Sequence, residues 1–96
     1  MSDTEATASL ALRVVNALAR ARHYAPNDPA FAPCDLKNVD DVLAAERAIR
    51  AHSFIQCAAG NHSTAAAYLC ASHALFALAV HLMAEERELN TKENTQ

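Results

Sequence analysis

Histidine, cysteine and serine side chains gather in the second half of the chain, and the chemistry they could perform is metal ligation or nucleophilic catalysis. Cys70 and His73 stand three residues apart, and His52 would come opposite residues 70–72 if the chain turned back near Asn61. A zinc site needs a fourth ligand or a water in ordered geometry, and neither a C-x-x-C nor an H-x-x-x-H pair is present. His52 is expected instead as a buried histidine bonded to Ser72 or Tyr68, because buried polar groups find partners. A serine nucleophile needs a base and an orienting acid, and Ser53, Ser63 and Ser72 can be matched with a histidine only loosely. Asp40 and Asp41 are adjacent, so on a helix they point about 100° apart and suit a helix start better than acid–base work. One glycine in the whole chain rules out a glycine-rich phosphate loop. The sequence points away from an enzyme, and no cofactor is expected.

His73, Ala77 and His81 recur every four residues, with Cys70 and Ala74 beside them. A row of small residues flanked by histidines suits either a closely docked second helix or ordinary solvent-facing surface. Cys34, Cys57 and Cys70 are odd in number and follow no recurrent spacing, which predicts free thiols in a reducing, cytoplasmic compartment. Only one lysine near Cys34 could lower its pKa, so that thiol is expected to be incidental. The amino-terminal stretch carries acids where an export signal needs bases, and none is expected.

The formal net charge is −3, and no block of Lys or Arg occurs. Arg13, Arg20 and His23, with Asn16 between them, are better explained as a solvated helix face than as a nucleic-acid stripe. Residues 64–84 carry no formal charge and are long enough to span a membrane. Two histidines, eight alanines and the acids Glu85, Glu86 and Glu88 at the end argue for a buried helix in a soluble assembly instead.

These side chains need elements to hold them, and 23 alanines among 96 residues make those elements helical. Alanine has little area to bury, so Ala-rich helices gain by close approach. Ser2 and Glu5 form a capping box, opening a helix from Asp3 to Tyr24 whose core stripe is Leu10, Val14, Ala17, Leu18, Ala21 and Tyr24. Leu12 and Val15 lie off that stripe. Pro26, Pro29 and Pro33 make a semi-rigid crossing anchored by Phe31 and Leu36. Asn38 caps a second helix running to about Ala59, with Val42, Ala45, Ala48, Ile49, His52, Ile55 and Ala59 inward and Glu46, Arg47 and Arg50 outward. Gly60 stops it, with Asn61 or Ser63 capping a third helix from Thr64 to Leu89. The expected core side of that helix is Tyr68, Leu69, Ser72, Leu75, Phe76, Ala79, Val80, Leu82 and Met83.

The expected fold is all-α: a three-helix domain over residues 1–90, with helices 2 and 3 as a long antiparallel hairpin and helix 1 packed across it. Residues 91–96 are expected as a polar, frayed tail. Leu12, Val15, Leu43, Phe54 and Leu78 exceed what such a core can cover. That surplus points to a homodimer, a small regulatory protein of inhibitor or adaptor type that binds another protein. Leu43, Phe54, Cys70, His73, Ala77, Leu78 and His81 are the candidate contact residues. A DNA-binding regulator and a metal- or thiol-dependent sensor are the rival readings.

Overall fold

One left-handed residue turns the second half of the chain back on itself: Gly60 has φ 86°. Its amide bonds to the Cys57 carbonyl at 3.0 Å and the Asn61 amide to the Gln56 carbonyl at 2.9 Å, the paired bonds of a Schellman stop. A Cβ at position 60 would meet nothing within 4 Å, so the backbone conformation alone asks for glycine. The Asn61 side chain does not cap the following helix as expected; its amide donates to Gln56 Oε1 at 2.9 Å, back across the corner.

The computed structural model describes residues 3–94, with side chains from Glu5 to Leu89. Helix α1 spans Asp3–Tyr24, α2 spans Val39–Ala58 and α3 spans His62–Asn94, with a short 3-10 turn at Pro29–Phe31 between the first two. The Ser2 half of the expected capping box lies outside the described residues. Asn38 Oδ1 accepts from the Asp41 amide at 3.1 Å and starts α2 as expected. The third helix runs past Leu89 to Asn94, because no Gly or Pro follows to end it. Thr95 and Gln96 are outside the described residues.

Helices α2 and α3 form the antiparallel hairpin, and α1 packs along α3 while touching α2 far less. Thr7 lies against His81 and Glu85, while Arg20 and Asn16 lie near Cys70, so α1 also runs antiparallel to α3. Thirty-three residues of α3 make about 50 Å of helix, which sets the 55 × 22 × 19 Å shape.

The core joins Val14 and Ala21 of α1, Val42 and Ile49 of α2, Phe31 of the crossing, and Ala67, Tyr68, Ala71, Leu75, Leu78, Ala79 and Leu82 of α3. Phe31 and Leu36 anchor the crossing as expected. The α3 side expected to be buried is rotated. Leu69, Phe76, Val80 and Met83 are exposed, whereas Leu78 is fully buried. Helix α3 is apolar nearly all round, so its own pattern cannot fix the buried direction. The approach of α1 onto its small residues does, and Ala67, Ala71 and Leu78 go inside. Tyr24, Ile55 and Ala59, all expected inward, are exposed.

Candidate functional site

Two polar clusters and one apolar face stand out against this core. The first cluster ties the proline crossing to the hairpin. Asp28 caps the 3-10 turn, its Oδ1 accepting from the Ala30 amide at 2.9 Å. Its Oδ2 accepts from the Tyr68 hydroxyl at 2.5 Å and from His52 Nδ1 at 3.1 Å. His52 thus finds its partner in the crossing rather than in Ser72 or Tyr68. The Tyr68 ring, fully buried, meets Phe31 edge-on with centroids 5.1 Å apart. Arg22 of α1 reaches the same place, 3.4 Å from the Phe31 carbonyl and 5.9 Å over its ring. The sequence did carry one signal for Asp28: an Asp directly before Pro29 is a capping residue followed by proline in the first turn.

This cluster is a structural tie. Burial, then the Asp28 hydrogen bond and charge, push the Tyr68 phenol well above its ordinary range, the opposite of what a nucleophile or base needs. Burial also raises Asp28, but hydrogen bonds from Tyr68, Ala30 and His52, with the His52 charge, outweigh it, so its pKa ends below the usual 3.8. A carboxylate depressed on folding stabilises the protein above its unfolded pKa, and that stability is lost as the pH falls through the folded value. Asp28→Asn is therefore expected to flatten the fall in Tm below about pH 4. At neutral pH it should cost about 1–2 kcal/mol by weakening two charge-assisted hydrogen bonds. Thermal melts of both proteins between pH 2 and 7 check this, and parallel acid limbs would refute it.

The second cluster lies between α2 and α3. Glu46, expected outward, is buried at 5 % exposure. Ser72 Oγ donates to its Oε2 at 2.8 Å, and Arg50 Nε lies 3.4 Å from the same oxygen. The expected Glu46–Arg50 pair exists, but one partner belongs to the interior.

The expected contact residues do not form one surface, since Leu78 is in the core, Leu43 packs on it and Phe54 borders a separate groove. Leu43 is half-buried and packs on the core, and Leu78 is enclosed. Cys70 is exposed beside Arg13, Asn16, Ala17 and Arg20 of α1. His81 is half-buried toward α1, with Nε2 at 2.9 Å from Thr7 Oγ1 and 3.0 Å from Glu85 Oε1. Thr7 donates its hydroxyl hydrogen to Glu85 at 2.6 Å, so His81 is the donor to Thr7. His73 and Ala77 are exposed and line a groove of about 350 Å³ with Glu46, Arg50, Leu69, Ser72 and Phe76. The row of small residues runs as one stripe along α3, its Cys70 and His81 edge bordering α1 and its His73 edge bordering the groove.

His52, Cys70 and His73 do not converge, since His52 turns to Asp28 in the crossing. Among the described residues no three His, Cys, Asp or Glu side chains come together. Cys57 Sγ stands 4.0 Å from His62 Nδ1 at the exposed corner. The Cys34 thiol is pushed up by burial and then by Asp41 and Asp35, which makes it less reactive, not more.

The apolar face was hidden in the residues assigned to the core. Leu69, Phe76, Val80 and Met83 lie along one side of α3, and Phe54 of α2 is 66 % exposed on a second groove shared with Cys57, Ala66 and Leu69. Steps of seven, four and three residues between 69, 76, 80 and 83 suit a two-helix seam and a core stripe alike, so spacing does not separate the two. His62–Leu89 is also long and apolar enough to cross a membrane, a property shared with core helices of soluble bundles. The chain matches no family model, no curated protein and no solved structure.

Proposed function

We propose that the protein is a small helical interaction module of regulatory, inhibitor or adaptor type, acting in the cytoplasm as a homodimer that binds another protein. One observation carries this: after the three-helix core has closed, Phe54, Leu69, Phe76, Val80 and Met83 still lie exposed together on the hairpin. Contiguous apolar surface of this kind on a folded domain marks a place where another chain docks. Leu12 and Val15, exposed on α1, form a separate and smaller apolar surface for the regulated protein.

Light scattering across a concentration series tests the proposal, with a mass of twice 10.3 kDa expected. Phe76→Glu should weaken self-association at least about thirty-fold, the effect of roughly 2 kcal/mol at a central aromatic contact. Helix content should be unchanged, because that side chain is 53 % exposed and contributes little to the core. A mass of 10.3 kDa at every concentration would overturn the homodimer.

A further inference from the structure

We propose that a pocket between α1 and α3 takes small disulfides that carry a carboxylate at each end, and keeps half of one as a mixed disulfide on Cys70. Arg13, Asn16, Ala17 and Arg20 of α1 line this pocket with Cys70 of α3, around about 250 Å³. Both arginines and Cys70 are exposed, and among the described residues neither arginine pairs with a carboxylate. No acid lines the pocket. None stands in the sequence between Glu5 and Asp28, which includes this stretch of α1, or between Glu46 and Glu85, which includes this stretch of α3. In a chain of net charge −3 this is a local positive site, suited to an anion.

The spacing of the two arginines selects the ligand. Arg13 and Arg20 are seven residues apart, so they stand on one side of α1 with about 10 Å of helix between them. Three extended residues also reach about 10 Å, so a tripeptide-sized compound can offer one carboxylate to each guanidinium. Thr7 bonds to His81 and Glu85 on the antiparallel α3, so Arg20, thirteen residues further along α1, comes level with positions 68–72. Cys70 is therefore at the Arg20 end. A ligand sulfur bonded there has a short arm to Arg20 and a longer one toward Arg13, with the Asn16 amide between them to bond the ligand's own amides.

The step is a thiol–disulfide exchange. The Cys70 thiolate attacks one sulfur of the incoming disulfide, and the new S–S bond forms as the old one breaks. The departing half leaves as a thiolate with the electron pair of the broken bond and takes up the proton that Cys70 gave up. Cys70 is oxidised and that half is reduced, with no further reactant. The other two thiols lack the cationic walls. Exposed Cys57 has His62 4.0 Å away and no Arg or Lys along its groove, and half-buried Cys34 lies near Asp35 and Asp41.

Two probes test this: oxidised glutathione, with carboxylates at both ends of each tripeptide, and cystamine, with amines in their place. Peptide mass spectrometry follows the occupancy of each cysteine on the whole chain. Oxidised glutathione should modify Cys70 about tenfold faster than Cys57, the factor expected of two exposed charge pairs about 6 Å apart in water. Cystamine should show no such preference. Arg13→Gln with Arg20→Gln should bring the glutathione ratio down to the cystamine one, and Arg13→Lys with Arg20→Lys should retain most of it. Equal rates at Cys70 and Cys57 with oxidised glutathione, the same preference with cystamine, or a preference untouched by the glutamine pair would each overturn the assignment. Comparing the two probes on the unsubstituted chain decides the matter whatever the variants do to folding.

Discussion

Tyr68→Ala is expected to cost about 3–5 kcal/mol of unfolding free energy, in the range of large aromatic truncations in closed cores. A 96-residue chain has roughly 5–14 kcal/mol in total, so the variant should be partly unfolded near 37 °C. The ring is fully buried, and its edge-on contact with Phe31 is where the proline crossing meets the hairpin. Its loss leaves a cavity, and Asp28 then has one donor fewer inside a site where its side chain is 9 % exposed. Tyr68→Phe keeps the ring and removes only the hydroxyl, so it should cost about 1–2 kcal/mol. Urea unfolding at one fixed protein concentration separates the two. If the alanine variant loses no more than the phenylalanine variant, the ring does not anchor the crossing.

Leu78→Ala is expected to cost about 2–5 kcal/mol, and Leu12→Ala less than about 0.5 kcal/mol. Sequence periodicity treats both leucines as surplus apolar residues lying off their helices' core stripes. In the fold Leu78 is completely enclosed and Leu12 is 60 % exposed. The pair therefore measures the rotation of α3 directly. Comparable losses from both, read from denaturant midpoints at unchanged m-values, would place the core direction back where the sequence pattern points.

Locally coded features were legible. Three helices, the Asn38 cap, the stop at Gly60 and the anchoring of the crossing by Phe31 follow from residues within a few positions of one another. Caps, glycine stops and proline breaks act through the backbone of their own segment, so no distant partner is needed to decide them. The polar ties were not legible. Asp28 meets Tyr68 across 40 residues, and Thr7 meets Glu85 across 78. No spacing rule links such pairs, because their meeting depends on how far each helix slides along its neighbour. Glu46 shows the same limit: its i,i+4 partner Arg50 was readable, while its burial against Ser72 was not.

The sequence by itself determined the bounds of the first two helices to within a residue and that the chain doubles back at residue 60. Tertiary structure alone decided which side of α3 faces inward. A helix apolar on nearly every side has several nearly equivalent ways to bury itself, and its alanines let a neighbour approach from more than one direction. The placement of α1 selects among them, leaving Leu69, Phe76, Val80 and Met83, which read as core, exposed outside it.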